Sequence, residues 1–337
     1  MTTAAEKPAG LGPTAFAAAN SSHECPICGV KCKAQISVYD DRYGYPGVYE
    51  LYACAQCGHR SLNAGMTPEA IAALYTNYYP RSTFDATTWG PPGESAPWRI
   101  WFLGLKASAF RWVPRNVRVL DIGCGFGESL GYHRDRGCDV YGVEADENIL
   151  RVARLHGLNV RVGLFNASNY EPESFDVVTL DQVIEHVSDP LTVLAGVHQV
   201  LKTDGLLILS TPNAAGWGAR IFGRRWIHWH APYHQQFFSA RSISTAANRA
   251  GFVVERRRTV TNSAWLGYQW AHLVTFPSPG TPSSFWSSKT ARTPTERILL
   301  AMLAGISRLG VNSVLTRVFD SLGIGDNVVY VLRRQAQ

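Results

Sequence analysis

The 337-residue sequence has no apolar run near the ~20 residues that a membrane-spanning helix needs; its most hydrophobic stretch, ILLAMLAGI at 298–306, falls well short. The first twenty residues have neither a basic start nor an apolar segment of signal-peptide length, so residues 1–20 read as a disordered tail and the expected compartment is cytoplasmic. Internal repeats are absent. Charged residues make up only 17% beside 46% hydrophobic ones, a balance that fits a globular protein with a sizeable core. Acidic residues are the scarcer sign, 26 against 32 Lys and Arg. The resulting charge of +6 favours an anionic partner (nucleic acid, phosphorylated substrate or membrane surface) without choosing among them.

In a reducing compartment seven cysteines are poor disulfide candidates. Four of them form two C-x-x-C knuckles, CPICG (Cys25, Cys28) and CAQCG (Cys54, Cys57). Each two-residue gap lets both thiolates face one point, and the following Gly29 and Gly58 can take the positive φ that brings backbone close to sulfur. Four thiolates satisfy tetrahedral Zn²⁺ with no position left for water, so the expected metal is structural. Cys32, His23 and His59 are spare ligands nearby. Between the knuckles, QISVYDDRYGYPGVYELYAC reads as strand, Gly-Pro turn, strand, giving a zinc ribbon over residues 21–65. The ribbon has few Lys or Arg to meet phosphates, which argues for a scaffold and against nucleic acid.

Residues 66–115 read as a helical linker region. TPEAIAALYTNYY carries Thr67 as N-cap and Pro68 in the first turn and stops at Pro80. A Gly/Pro/Ser-rich stretch at 81–97 follows. A second helix is expected over about 97–113, with its tryptophans filling core.

From 116 to 337 the pattern alternates. Five short apolar runs, VRVLDIG, CDVYGVEA, LNVRVG, SFDVVTLD and GLLILST, are separated by segments of helical spacing with capping Asp or Ser and terminal Gly. FVVERRRTV and DNVVYVLRR add a sixth and a seventh strand, expected as the antiparallel edge. The fold class is therefore α/β: a doubly wound, mostly parallel seven-stranded sheet with helices on both faces and ligands at the carboxyl ends of the strands. About sixty-five residues separate the last two strands, far beyond a hairpin loop. They predict a helical cap or dimer contact inserted at about 260–325, with a membrane-surface role as the alternative.

The first strand ends in DIGCGFG, with Asp121 followed by Gly123, Gly125 and Gly127. A dinucleotide fingerprint needs a third glycine at 128, where Glu128 stands instead, and a carboxylate there would repel a pyrophosphate at the helix N-terminus. A cationic or zwitterionic ligand tolerates it. About twenty residues on, Glu144 ends the second strand, placed to accept hydrogen bonds from a ribose diol.

Over 117–213 the sequence resembles the class I S-adenosylmethionine-dependent methyltransferases, through DIGCGFG, VYGVEAD, FDVVTLDQVIEHVSDP and LKTDGLLILSTPN. The resemblance implies that Asp121, Gly123 and Gly125 surround the methionine and ribose of the cofactor and Glu144 its ribose hydroxyls. Asp181 and Gln182 would face cofactor and substrate. Where many members carry an acidic residue toward the adenine amine, this chain has Leu164, leaving the backbone of Gly163 or Leu164, or Asn166, for that contact. With the four cysteines, ALYTNYYP, GRRWIHWHAPYHQQFFS and GIGDNVVYVLRR, the chain also resembles a bacterial subgroup of zinc-ribbon methyltransferases tied to sugar, glycan or secondary-metabolite modification.

Methyl transfer needs the acceptor in line with the sulfur–methyl bond, and a hydroxyl or acidic carbon also needs a base. His186, beside Glu185, either takes that proton or ties the loop to the next helix. After the fifth strand, RIFGRRWIHWHAPYHQQFFS concentrates Arg224, Arg225, Trp226, His230, Tyr233 and His234 in a loop expected to wall the acceptor side, with the arginines binding an acidic group and His234 preferred as base. The expected activity is methylation of a small-molecule or sugar-like acceptor, with a nucleotide-linked sugar as one form, on oxygen ahead of carbon. RNA methylation and a cofactor-binding regulatory protein remain as alternatives.

Overall fold

The computed structural model describes residues 23–63, 66, 74, 77–78 and 89–335. The expected tail at 1–20, most of the helix over 67–79 and part of the following linker lie outside them.

β1 (Lys33–Val38), β2 (Tyr49–Ala53) and β3 (Arg60–Leu62) form the antiparallel hairpins of the ribbon. Past the linker, the helix expected over 97–113 is interrupted: it spans Pro97–Leu103, then Gly104 turns left-handed (φ 67°) and two short 3₁₀ turns follow. The interruption has a packing cause, since a Cβ on Gly104 would sit 2.0 Å from the Thr261 carbonyl. Trp98 and Trp101 are consequently exposed and do not fill core.

β4 (Arg118–Ile122), β5 (Asp139–Glu144), β6 (Val160–Val162), β7 (Phe175–Asp181) and β8 (Leu201–Pro212) are the five strands of the central sheet, all mutually parallel. β9 (Gln236–Phe237) lies apart, and β10 (Phe252–Thr259) and β11 (Asn327–Arg334) complete the sheet in the order β10-β11-β8-β7-β4-β5-β6. Of the two late strands, β11 is inserted antiparallel beside β8, and β10 is the outer edge. β7 and β8 are buried over most of their length, as the central strands of a sheet covered on both faces must be. The chain runs outward from β4 to β6 and then returns to β7 beside β4, so the strand order reverses there, and the crevice between the loops after β4 and β7 is where ligands bind in such sheets.

Local signals set the helix starts. Asp189 caps the Pro190–Val200 helix by accepting the Thr192 amide at 3.1 Å, with proline at the first turn. Ser239 and Thr293 open the Ala240–Arg249 and Pro294–Arg308 helices with reciprocal capping boxes. The insertion between β10 and β11 is helical, at Ser263–Val274, Pro294–Arg308 and Val311–Ser321; the second of these buries none of its residues. Among the described residues no single helix is long and apolar enough to cross a membrane.

The ribbon is built into the larger domain. β3 pairs with β9, so the four-stranded sheet β1-β2-β3-β9 combines ribbon strands with a strand from the loop after β8. Cys25, Ile27, Cys54 and Cys57 share one hydrophobic core with Leu180, Ile184, Phe238 and Ile243. Side chains close the seam: His59 donates to Gln236 Oε1 at 2.8 Å, Arg249 to the Ile27 carbonyl at 2.5 Å, and Arg60 to the Ala214 carbonyl.

Candidate active site

The turn after β4 is made of backbone. Gly123, Gly125 and Gly127 take φ of 73°, 55° and 81°, a region that side chains strain to enter. Each faces something different: a Cβ on Gly123 would lie 2.5 Å from Val183 in the loop after β7, one on Gly127 would lie 2.7 Å from Leu158, and one on Gly125 would meet nothing within 4 Å. Gly125 is thus the open face of the turn and its neighbours are the packed ones. Gly125 also donates its amide to Glu144 Oε2 at 2.9 Å, and the Asp146 amide donates to Oε1 at 2.9 Å, so Glu144 is held at the rim by backbone with lone pairs remaining for a diol.

Asp121 lies beneath the turn. It accepts hydroxyls from Thr179 at 2.6 Å and from Ser129, and burial pushes its carboxyl up to about 6, aided by the nearby Asp181 and Glu144. Its role is to fix the turn from below. Asp181 accepts the Ser210 hydroxyl and is raised by burial, while the Gln182 side-chain amide donates to Ser210 Oγ and Asn327 Oδ1, both at 2.9 Å. Both residues therefore tie the ends of β7, β8 and β11 together. Gly163 takes φ of 127° and donates to the Glu144 carbonyl at 2.8 Å, and Leu164 beside it is 84% exposed, its side chain contributing no polar contact to an adenine. An open glycine face with carboxylates beside it fits a ligand carrying positive charge on sulfur and a ribose, and is poorly suited to a pyrophosphate.

Across the crevice the wall is made of side chains. The β7 loop supplies Glu185 and His186, and the loop after β8 supplies His228, His230, Tyr233 and His234. His186 donates Nδ1–H to the Tyr233 carbonyl at 3.0 Å and His234 donates Nδ1–H to the His228 carbonyl at 2.8 Å; the two rings meet edge to face at 4.5 Å. His230 stacks on Tyr233 at 4.6 Å. Burial drives the imidazoles toward the neutral form: His186 falls to about 4, His228 to about 3, and His230 and His234 well below 6.5. Glu185 is 1% exposed, accepts the Thr211 hydroxyl at 3.1 Å on Oε2, and is pushed by burial up to about 8.

The sequence reading missed the third contributor to this wall, the ribbon loop between β1 and β2. Asp40 accepts three amides of its own turn, from Arg42, Tyr43 and Tyr45 at 2.8–2.9 Å. That turn buries Arg42, which donates to the Ile227 carbonyl at 2.5 Å, lies over Trp286 at 4.3 Å and sets its charge beside the four imidazoles. Tyr43 packs edge-on against His230 and Tyr233. The only sequence signal was the Asp-Asp-Arg-Tyr run in a hairpin loop, whose destination depends on tertiary packing.

The remaining expectations divide. His186, His230, Tyr233 and His234 are brought together. Trp226, expected against the substrate, is a correction: with 0% exposure it packs with Val38, Leu51, Leu62 and Trp229 in the core beneath the ribbon. The burial needed to seat the ribbon claims its ring. Arg224 and Arg225 are exposed on the preceding 3₁₀ turn, Arg225 lying over Phe276 at 5.0 Å, so the buried cation of the wall is Arg42. In the ribbon, Cys25, Cys28, Cys54 and Cys57 place their sulfurs within 4.8 Å of one another, with Cys25–Cys57 at 3.5 Å and Cys28–Cys54 at 3.4 Å.

Comparison with known proteins agrees with this geometry. Residues 100–256 match a family model described as a methyltransferase domain. The chain is 30% identical over 191 residues to a ubiquinone biosynthesis O-methyltransferase of Thiobacillus denitrificans, covering 51% of this chain and 81% of the relative. It is 38% identical over 130 residues to a protein of the same name from Hahella chejuensis, covering 36% of this chain and 52%, about half, of that relative. Among solved structures, an S-adenosylmethionine-dependent methyltransferase from Mesorhizobium loti aligns with a TM-score of 0.42 at 17% identity, over 67% of this chain and 96% of the other. The chain belongs to the class I S-adenosylmethionine-dependent methyltransferases.

Proposed function

We propose that the enzyme methylates a hydroxyl of a small-molecule or sugar-like acceptor. The observation that carries this reading is the buried group of Glu185, His186 and His234 at the loop after β7, the loop whose Val183 packs against Gly123 of the glycine turn beside the strand-order reversal. The names of the relatives, O-methyltransferases of ubiquinone biosynthesis, support oxygen as the acceptor atom. When bound, S-adenosylmethionine supplies a methyl group on a cationic sulfur, for which Gly125 and Glu144 provide the cradle. The wall does the rest. Burial keeps its imidazoles neutral near pH 7, so a ring nitrogen would accept the hydrogen bond of the acceptor hydroxyl, orient its oxygen toward the methyl group and receive the proton that the hydroxyl gives up. Burial also removes water that would compete for the methyl group.

In the same reading the four cysteines hold a structural Zn²⁺. Zinc–sulfur bonds of about 2.3 Å in a tetrahedron place sulfurs about 3.8 Å apart, close to the spacing here. A small acceptor is favoured over nucleic acid in this reading, since the ribbon has few Lys or Arg and its third strand pairs with the larger domain.

The test is transfer of a labelled methyl group from S-adenosylmethionine to a panel of phenols, catechols, free and nucleotide-linked sugars, amines and RNA. Labelled ether in a small hydroxyl acceptor is the expected result. Label confined to RNA, or to nitrogen or carbon, overturns the reading.

A further inference from the structure

We propose that Glu185, His186 and His234 form a second metal site, for a divalent first-row cation, whose open positions bind the acceptor hydroxyl. One ligand atom from each of the three residues lies within 4.8 Å of the others, a spacing that a single ion can bridge. The two imidazoles are prepared for it. A carbonyl only accepts, so the contacts of Nδ1 to the Tyr233 and His228 carbonyls put the proton on Nδ1 of both rings and the lone pair on Nε2. Metal-bound histidines are oriented by just such outer hydrogen bonds from the second nitrogen.

The carboxylate adds an independent argument. Glu185 Oε2 has the Thr211 hydroxyl, but Oε1 is buried with no hydrogen-bond partner among the described residues. A buried oxygen without a partner is costly, and a bound cation removes that cost. Its position is fixed by backbone: the Glu185 carbonyl accepts the Gln235 and Gln236 amides at 2.8 and 3.0 Å, which locks the β7 loop to the segment carrying His234. Arg42 opposes a cation here, but its guanidinium is turned to the Ile227 carbonyl and the Trp286 ring.

Two imidazoles and one carboxylate suit Mn²⁺, Fe²⁺, Co²⁺ or Zn²⁺ and leave coordination positions open. A hydroxyl bound there loses its proton more readily, and with Nε2 of His186 and His234 given to the ion the proton passes to His230, whose ring lies 5.1 Å from that of His234; an acceptor with two adjacent hydroxyls fills two positions and is held by both. The substrate class is then a catechol or vicinal diol. This assignment of substrate rests on the hydroxyl-methylation reading; the metal site does not.

Mn²⁺ binding to the full-length protein, with the four-cysteine site already loaded with zinc, is followed by electron paramagnetic resonance and metal analysis. One Mn²⁺ per chain beyond the zinc is expected. His234→Gln and Glu185→Gln should each weaken it by roughly 100-fold, with S-adenosylmethionine affinity and melting temperature close to the parent as proof of folding. If either variant fails that folding check, His186→Gln gives the same readout. Absence of uptake beyond the zinc, or uptake that survives these substitutions, overturns the site even if hydroxyl methylation is found. Mn²⁺ uptake lost in the variants, together with label found only on nitrogen, upholds the site and overturns the hydroxyl reading.

Discussion

The two sides of the crevice are made of different material. Around β4 the cofactor side is backbone: three left-handed glycines, an amide on Glu144 and a carboxylate held from beneath. The opposite side is side chains delivered by three separate segments, the β7 loop, the loop after β8 and the ribbon loop. A backbone site depends on a few consecutive residues and survives distant damage. A side-chain site depends on every segment that delivers a group, so it should fail first.

The largest effect should come from breaking that delivery. Replacing Cys54 and Cys57 by Ser removes two of the four thiolates and loosens β3, and with it β9 and His234. Methyl transfer should drop by about 100-fold or more, since misplacement by about 1 Å has that cost, while calorimetric affinity for S-adenosylmethionine stays within about twofold of the parent. Unchanged transfer would show that the wall does not depend on the ribbon.

Next is the converse damage. Gly125→Val places a branched side chain at φ 55° on the open face of the turn. Left-handed strain of about 1–2 kcal/mol falls on folding stability, and steric overlap on this open face predicts weaker cofactor binding, read by calorimetry. Near-ultraviolet circular dichroism, which reports the aromatic wall, should not change. Gly127→Ala points into Leu158 instead and should lower the melting temperature more than Gly125→Val does.

The smallest effect sharpens the contrast between two kinds of buried histidine. His133, in the Glu128–Arg134 helix behind the turn, is buried beside Phe110 with neither ring nitrogen hydrogen bonded among the described residues. Burial lowers it to about 4. Because the folded value lies below the ordinary 6.5, its neutral form stabilises fully above pH 6.5, and that contribution is lost as pH falls toward 4, by at most ~1.4 kcal/mol per pH unit. His133→Phe should therefore lose less melting temperature between pH 7 and pH 5 than the parent. An equal loss would mean that His133 titrates as a solvent-exposed group.

The same contrast explains what could be read in advance. The glycine turn, Glu144 and the seven strands were legible because each rests on local spacing, and so were the paired cysteines. Trp226 was misread because an aromatic next to arginines looks the same whether it lines a cleft or seats a ribbon. Arg42 went unnoticed because nothing within ten residues of it marks its destination beside histidines near position 230. The break at Gly104 was hidden for a similar reason: its cause, the carbonyl of Thr261, is far away in the chain.

The strand pairing of β3 with β9 also bears on how the protein is made. His59 and Gln236, hydrogen bonded across that seam, are 177 residues apart. At translation rates of about 5–20 residues per second, the ribbon waits on the order of 10–35 s for its fourth strand. Through that interval β3 is an open sheet edge, able to pair with another nascent chain. Synthesis is thus a stage at which this edge is open to aggregation, and coexpression with a chaperone that shields strand edges should raise the soluble yield.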